Sequence, residues 1–465
     1  MLVLLLFCSL FIAAGYIVSK NVSSGTDFLV AGRNLPIVFL TFTIAATHFG
    51  GGALVGGIEQ GASKGVWAGM YAIIGYAIAC FINAFVAPKF RRASNNLTPP
   101  DFIETRYGYS KFLRGYHVFV YILGTVAIIS AQFNAFGGIA AAFGISRTPA
   151  IILGAVSVMI YTFMAGMWGV AVTDFMQLLI CMIFLPIVSF VGLNALNTQT
   201  GVTLGTLLSA PFFETPDAAG SFMYSLIPTI VGSMFAYEYF LRFQSAKSEK
   251  DARNSSLIAG VLLLLLAIPV GIIGAMGQRL YPTVPANEVL GHVVNETLPV
   301  WAGYIFLGAV LAAIMSTADS LMTSLSGMVT RDIYHKLLNP DKDFDTLPNT
   351  LKMARITTVI GCAIAMLISL KFRSIIGLLF WPSPLQSGVL FAPIIIGMFW
   401  NRASRKGAYA SVIIGACVAL IDMLGICKLP ERMFVTMAAA TFALVVVSIL
   451  NPDKPVEITT SSEVK

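Results

Sequence analysis

The sequence has few charged residues: they make up only 11% of its 465 residues, whereas 57% are hydrophobic. Soluble globular domains carry about 25% charged residues, so this composition excludes an ordinary soluble protein. The apolar residues form stretches long enough for membrane-spanning helices, unlike the short alternating segments of a membrane barrel. The sequence therefore predicts an all-α polytopic membrane protein.

Motifs of enzymes and of nucleotide-driven pumps are missing as well. The six cysteines are scattered and form no CxxC pair, so they are interpreted as small core residues. Gly50-Gly51-Gly52 lacks the lysine and hydroxyl of a P-loop, no histidine spacing suggests zinc, and no nucleophile elbow occurs. We therefore expect neither an enzyme nor ATP-driven transport.

Thirteen apolar segments are long enough, or nearly so, to span a membrane. They are 2–18, 35–57, 66–86, 112–143, 150–167, 169–193, 221–240, 257–276, 301–329, 354–370, 375–400, 408–424 and 433–450. If the N-terminus lies outside, most of the 29 lysines and arginines fall in cytoplasmic loops, in agreement with the positive-inside rule.

This uneven distribution explains the net charge of +7 without any nucleic-acid partner. We expect a multi-pass protein of the cell membrane with an outer N-terminus and a cytoplasmic C-terminus. The oligomeric state is left open by the sequence.

Three of the predicted spans contain residues that disfavour a continuous helix. They are Gly50-Gly51-Gly52, Val231-Gly232-Ser233 and the proline-containing stretch 381–387. Irregular backbone at membrane depth is tolerated where it lines a cavity or is buried in protein. Carbonyls freed in this way bind cations in secondary transporters, although close helix packing through glycine is an alternative interpretation.

The segment 311–320 ends in a cluster of oxygen-bearing side chains. Ser316, Asp319 and Ser320 are spaced to share one helix face, and Thr317 is adjacent. A carboxylate inside a membrane is costly and marks a candidate functional site, and hard oxygen ligands suit a hard cation. The alternative is a hydrated helix end near Arg331, where Asp319 faces water.

Three segments, in this order along the chain, resemble the sodium:solute symporter family. They are Asp27-Phe28-Leu29-Val30-Ala31-Gly32-Arg33, the run 312–320 with Arg331-Asp332-Ile333-Tyr334 after it, and 393–415. The resemblance implies the leucine-transporter fold, which has two inverted repeats of five helices. The repeats would be 35–194 and 195–400, with a leading helix and loop at 1–34 and two further helices at 401–465.

The resemblance also implies sodium as the coupling ion. The family's main sodium site corresponds to the carbonyls of Ala46, Phe49 and Ala313 and the hydroxyls of Ser316 and Thr317. A possible second sodium site corresponds to Asp174, Asp319 and Ser320. Asp319 stands where the family pattern has a hydroxyl, and Asp174 could instead accept helix N-terminal amides.

The choline-transporter branch of the family is the most similar in its motifs, but a choline cage needs aromatic faces around the cation. The tryptophans expected at His48 and near Ala236 are missing, so choline is not the expected solute. The candidate solute-binding residues are His48, Gln132, Asn134, Phe235, Tyr237, Trp381 and Gln386.

Other interpretations of these polar residues stay open. The amides suit a polar organic solute, but hydrogen bonding between helices explains them equally well. His48 could be a buried histidine bonded to a loop carbonyl. Glu238 is expected to pair with Arg242, four residues later at a helix end.

These observations together predict a sodium-coupled symporter that imports a small polar organic solute by alternating access. Its partners would be the solute, the sodium ion and the lipid bilayer. One alternative is a proton-coupled transporter in which Asp174, Asp319 or His48 carries the proton. The other alternative is a non-transporting solute sensor on the same scaffold.

Overall fold

The computed structural model describes residues 2–92, 96–209, 226–227, 229–372, 378 and 381–453. These residues are largely helical, and an isolated bridge between Leu35 and Ala246 is the one extended pairing among them. The all-α prediction is confirmed for this part of the chain.

The helices are labelled here in chain order. They are α1 Leu2–Val18, α2 Gly25–Val30, α3 Ile37–His48, α4 Gly51–Lys64, α5 Val66–Arg92, α6 Pro99–Tyr107, α7 Lys111–Ala142, α8 Arg147–Thr200, α9 Leu204–Leu208, α10 Tyr237–Ser245, α11 Glu249–Leu280, α12 Val289–His292, α13 Val300–Gly327, α14 Thr350–Lys371, α15 Ser383–Phe399, α16 Arg405–Met423 and α17 Arg432–Leu450. The π-helical turns Val293–Thr297 and Met328–His335 extend α12 and α13.

Eight helices in the described residues are long and apolar enough to cross a membrane, or nine if the bent pair α3–α4 counts as one span. The longest, α8, has 54 residues and would measure about 80 Å if straight, against about 30 Å of bilayer hydrocarbon. Its backbone leaves the helical region at Gly166, with φ 49° and ψ −137°, which a residue with a side chain rarely adopts. Two predicted spans, 150–167 and 169–193, meet at this bend.

The predicted total of thirteen spans stays a prediction. Parts of two predicted spans, 221–240 and 375–400, lie outside the described residues.

The predicted break in the first long span after α2 is confirmed. α3 and α4 are bent by 52°, and Phe49 and Gly50 between them have non-helical backbones. The N–H of Gly51, at the start of α4, donates to Gln132 Oε1 at 2.9 Å. Because the first N–H groups of a helix have no intrahelical acceptor, Gln132 stabilises this break.

The second break lies a few residues later than predicted. Residues 229–234 are helical through Val231-Gly232-Ser233, and the chain leaves the helix at Phe235 and Ala236 before α10. A single glycine costs a helix only about 1 kcal/mol, which packing readily offsets. The break itself is held by Tyr121, whose hydroxyl donates to the carbonyl of Phe235 at 2.5 Å.

The predicted interruption within 381–387 is confirmed at its first two residues, since Trp381 and Pro382 are not helical. Trp381 and Pro382 precede α15, which then runs through Pro384 without interruption to Phe399. Proline is tolerated in the first turn of a helix because the N–H groups there have no intrahelical partner. The two prolines therefore lie at the start of a helix. Residues 373–377, 379 and 380, which come just before them, lie outside the described part of the chain.

Two groups of helices pack against each other around the two breaks. The first group contains α3, α4, α5 and α11, and the second contains α7, α8, α13 and α14. Both α3 and α4 contact α13, and α10 contacts both α5 and α13. The breaks therefore lie at the interface between the groups, where backbone and side chains of both can meet.

One end of the molecule collects basic side chains and is called the basic side. There Arg92 at the end of α5 pairs with Glu249 at the start of α11 at 2.8 Å. Arg106 of α6 donates to the carbonyls of Gly397 and Asn401, at 2.9 Å and 2.8 Å. The end of α15 and the start of α16 thus lie on this side, and the start of α15 lies on the opposite side.

Candidate functional site

Hydroxyl groups of α13 contact the backbone at the break between α3 and α4. Ser316 Oγ lies 3.2 Å from the carbonyl oxygen of Ala46 and 2.8 Å from that of Ala313. Thr317 Oγ1 donates to the carbonyl of Thr47 at 3.0 Å. All five residues are buried, so oxygen atoms from two helices converge in a setting that suits a hard cation.

Phe49 completes the set predicted for this site. It is fully buried in the break, with ψ near 50°. Its N–H donates to the carbonyls of Ala45 and Ala46 at 3.1 Å and 3.0 Å. The structure thus brings Ala46, Ala313, Ser316 and Thr317 together and places Phe49 beside them.

The residues of the predicted second site surround an arginine of α10. Arg242 Nη2 lies 3.6 Å from Asp174 Oδ2 and donates to Ser320 Oγ at 2.5 Å. Its Nε donates to Thr43 Oγ1 at 3.0 Å, and Thr43 donates to Asp174 Oδ2 at 2.5 Å. The side chains of all four residues are fully buried, so a protein cation already occupies part of this cluster.

Asp319 lies in the same buried cluster. Its Oδ2 accepts from the hydroxyl of Tyr161 at 2.7 Å, and its Oδ1 accepts from Ser320 Oγ at 3.3 Å. Asp319 is not exposed to solvent, so the interpretation as a hydrated helix end is wrong.

The cluster has more negative than positive groups. Asp174 lies inside α8 rather than at a helix start, and its Oδ1 has no hydrogen-bond partner among the described residues. If Asp174 and Asp319 are both ionised, the single guanidinium of Arg242 leaves a formal charge of −1. A buried uncompensated charge is unfavourable, so the cluster favours binding of a further cation or a proton.

A cavity of about 240 Å³ lies between the two breaks. His48 and Gly50 line it on one side, and residues 235–239 line it on the other. It reaches Ser383 at the start of α15 and Met433 at the start of α17, both at the end away from the basic side. The cavity therefore extends from the breaks toward the side opposite the basic side.

His48 lies between two aromatic rings at the edge of this cavity. Its ring centroid is 4.2 Å from that of Tyr239, nearly parallel, and 4.6 Å from that of Tyr76. Only 4% of His48 is exposed, and its Nε2 has no hydrogen-bond partner among the described residues. One ring nitrogen of this cavity-lining residue thus lacks a hydrogen-bond partner among the described residues.

A network of ion pairs closes the protein on the basic side. Arg114 binds Asp101 at 2.8 Å and Asp332 at 2.6 Å, and Arg331 binds Asp101 at 3.0 Å. Tyr237, the first residue of α10, donates its hydroxyl to Asp332 at 2.8 Å. Burial opposes ionisation of Asp101, but Arg331 and Arg114 hold the pKa of its carboxyl below the usual value. The second broken helix is thereby tied to the end of α13.

The sequence model of the Sodium:solute symporter family matches residues 28–415, which is most of the chain. The chain belongs to this family. It is therefore a multi-pass membrane transporter of the sodium symport type and not an enzyme.

Curated relatives of this family member carry transporter names. The chain is 28% identical over 440 residues to the sodium/proline symporter 2 of Staphylococcus saprophyticus. This match covers 90% of this chain and 85% of the relative. It is 27% identical over 429 residues to the high affinity choline transporter 1 of Homo sapiens, with 85% and 71% covered.

Solved structures of transporters share the fold. A sodium-coupled sialic acid symporter in a substrate-bound outward-open state superimposes with a TM-score of 0.80 at 17% identity, over 98% of both chains. MhsT in complex with L-phenylalanine gives a TM-score of 0.55 at 14% identity, over 90% of this chain and 98% of MhsT. Identities this low show the fold alone, and the fold is of the leucine-transporter type.

Of the seven predicted solute-binding residues of this symporter-family chain, five line the cavity. They are His48, Gln132, Phe235, Tyr237 and Gln386. Asn134 instead donates to the carbonyl of Phe372 at 2.7 Å and accepts from Arg147. Trp381 is 50% exposed and is not among the described lining residues.

Some residues that line the cavity were not among the predicted solute-binding residues. Glu238 was expected to pair with Arg242, but it lines the cavity together with Tyr76, Tyr121 and Tyr239. The described hydrogen bond from Arg242 to Glu238 goes to the backbone carbonyl, at 3.0 Å. A carboxylate shortly after the predicted break at 231–233, flanked by tyrosines, was the signal that could have identified this surface.

Proposed function

We propose that the protein imports a small polar organic solute together with sodium by alternating access. The observation that carries this proposal is the contact of Ser316 and Thr317 with the carbonyls of the α3–α4 break. Sodium would bind between these oxygen atoms and exchange the direct hydrogen bonds for coordination. The proposed ligands are the carbonyls of Ala46, Phe49 and Ala313 and the hydroxyls of Ser316 and Thr317.

Sodium bound at this position would join the two helix groups. Solute binding in the adjacent cavity would then begin from an arrangement that sodium has already stabilised. Because linkage is reciprocal, sodium and solute must raise each other's affinity by the same factor. This coupling is what a symporter requires.

The orientation is part of the proposal. The concentration of arginine and lysine on the basic side supports a cytoplasmic location for that side, so the cavity would extend toward the outside. The proposal also takes 35–194 and 195–400 as the two inverted repeats. The ion-pair network around Asp101 and Asp332 would form the inner closure, which must open for release.

The size of the cavity supports a small solute. Drug-sized ligands occupy pockets of about 300–1,000 Å³, whereas this cavity measures about 240 Å³. The relatives named for proline and choline transport small, nitrogen-containing solutes, according to their names. The amides of Gln132 and Gln386 supply neutral polar groups in the lining.

The sodium site is tested by removing its hydroxyls one at a time. Ser316→Ala and Thr317→Ala should each lower the apparent sodium affinity about tenfold, since each loses one buried polar contact. Sodium-dependent thermal stabilisation of the purified protein measures this affinity without knowledge of the solute.

Ser324→Ala is the matched control, because Ser324 is a buried hydroxyl of the same helix that binds the carbonyl of Ser320 in its own turn. It should leave the sodium response within about twofold of the wild type. An unchanged sodium response in both Ser316→Ala and Thr317→Ala would contradict the assignment.

We further propose that Asp174, Asp319 and Ser320 accept one additional monovalent cation. The unpartnered Oδ1 of Asp174 and the excess negative charge support this. Sodium would make it a second sodium site, whereas a proton would make the transporter partly proton-coupled.

The ratio of sodium to solute separates these possibilities. Two sodium ions per solute in reconstituted vesicles, reduced to one by Asp174→Asn, would support a second sodium site. Uptake in sodium-free buffer, driven by an imposed pH gradient, would support the proton. One sodium per solute, with Asp174→Asn and Asp319→Asn both harmless, would remove the second site.

A further inference from the structure

Glu238 places a carboxylate in the wall of the cavity at membrane depth. It is the second residue of α10, directly after the second break, and it lines the cavity with its neighbours Tyr237 and Tyr239. None of the ion pairs among the described residues involves Glu238. Arg242, the nearest basic residue on the same helix, directs its guanidinium to Asp174, Ser320 and Thr43 instead.

The charges around the cavity are one-sided. Among the described lining residues, Glu238 is the one carboxylate, and none is lysine or arginine. An ionised carboxylate without an ion-pair partner is costly in a low-dielectric wall, so a positively charged group of the solute would supply that partner.

Aromatic faces surround the same point. Tyr76, Tyr121, Tyr239 and Phe235 line the cavity together with Glu238. The negative face of an aromatic ring attracts a cation, and the attraction grows when water is excluded. The tyrosine hydroxyls at 121 and 237 already bind Phe235 and Asp332, which fixes the orientation of their rings.

From these observations we infer that the transported solute carries an ammonium group, and that Glu238 binds this group beside the tyrosine rings that line the cavity. The inference rests on the proposed function, because it assigns the chemical class of the solute in the same cavity. The unpartnered Nε2 of His48 is available to a second polar group on the solute. A solute with an ammonium group, whether a cation or a zwitterion, fits this lining, and a simple anion does not.

A series of four-carbon solutes of similar size and different charge tests the inference. The probes are n-butylammonium, 4-aminobutyrate, 1-butanol and butyrate, each added to the purified full-length protein in sodium buffer and in potassium buffer. Thermal stabilisation should be measurable for n-butylammonium and absent for butyrate and 1-butanol. A cavity that also accommodates a carboxylate would add 4-aminobutyrate to the stabilising probes.

Substitutions of Glu238 identify the group responsible. Glu238→Gln should weaken the response to the stabilising ammonium probe about tenfold to a hundredfold, whereas Glu238→Asp keeps the charge and should lose less. Glu296→Gln, at an exposed glutamate that pairs with His292, is the matched control and should behave as the wild type.

The result separates this inference from the proposed function. Glu238→Gln should keep the thermal response to sodium alone, which Ser316→Ala weakens. If butyrate or 1-butanol stabilises as well as the ammonium probes, if no ammonium probe stabilises, or if Glu238→Gln keeps the full response, the inference is overturned. If ammonium probes bind but sodium has no effect on the wild type, the inference stands and sodium coupling fails.

Discussion

The two broken helices use the same backbone device and present different chemistry. At the α3–α4 break, the chain supplies carbonyls and the partner helix supplies the hydroxyls of Ser316 and Thr317. At the break before α10, the chain supplies Phe235 and Glu238 to a wall that also contains Tyr121. The first set suits a small hard cation, and the second suits a larger organic cation.

In the proposed arrangement, this difference separates ion binding from solute binding. Both breaks line one cavity, so the two ligands lie close enough to influence each other. A change confined to one break should therefore affect its own ligand first and the other ligand only through linkage.

The largest effect is expected from Gly50→Ala at the first break. A Cβ at Gly50 would overlap Thr317 and lie 3.0 Å from Gln132 Oε1. Overpacking of this kind costs about 1–3 kcal/mol or more, so sodium affinity should fall up to about a hundredfold. Sodium-dependent thermal stabilisation is the measurement.

Gly56→Ala is the control for this change, because a Cβ at Gly56 meets no described atom within 4 Å. It should preserve sodium affinity and could stabilise α4 slightly, since alanine favours a helix over glycine. Equal sodium affinities in Gly50→Ala and Gly56→Ala would contradict the role given to the first break.

A smaller effect is expected from Tyr121→Phe at the second break. The change removes the hydroxyl that binds the carbonyl of Phe235 at 2.5 Å and leaves a buried acceptor without its donor. The loss of about 1–1.5 kcal/mol should weaken binding of an ammonium probe about tenfold. Sodium binding in the absence of solute should not change.

The control for Tyr121→Phe is Tyr304→Phe, at a tyrosine that is 43% exposed on α13. It should alter neither ligand. A loss of sodium affinity in Tyr121→Phe without any solute present would mean that the two breaks do not divide the two ligands as described.

The smallest effect is expected from Gly232→Ala, within the helical segment before the second break. A Cβ there meets no described atom within 4 Å, so sodium and solute binding should each stay within about twofold of the wild type. Titration of both ligands by thermal shift checks this. A loss comparable with that of Gly50→Ala would show that glycine is required at both breaks.

Local sequence was sufficient for several features. The long apolar runs predicted helices in a membrane, and the three glycines at 50–52 predicted the first break. The contact of Ser316 and Thr317 with the first break could be predicted because the segment around them resembles a family motif. These features depend on residues close together in the chain, so their pattern is visible without the fold.

Other features were misplaced because they depend on competition between distant groups. The second break was expected at Gly232 and lies at Phe235–Ala236, where the hydroxyl of Tyr121 satisfies a free carbonyl. The third interruption was expected across 381–387, but within that segment only Trp381 and Pro382 are non-helical, and Pro384 lies in the first turn of α15. The residues around Gly232 do not encode the donor hydroxyl of Tyr121, and those around Pro384 do not encode where α15 starts.

The sequence by itself determined that this protein is a membrane transporter of the sodium:solute symporter type, since composition and motifs are local properties. Only the tertiary structure decided the partners of its buried charges. Arg242 could have paired with Glu238 on its own helix, yet it binds Asp174 and Ser320. A guanidinium in a low-dielectric interior takes the arrangement that satisfies most of its donors, and that arrangement leaves Glu238 facing the cavity.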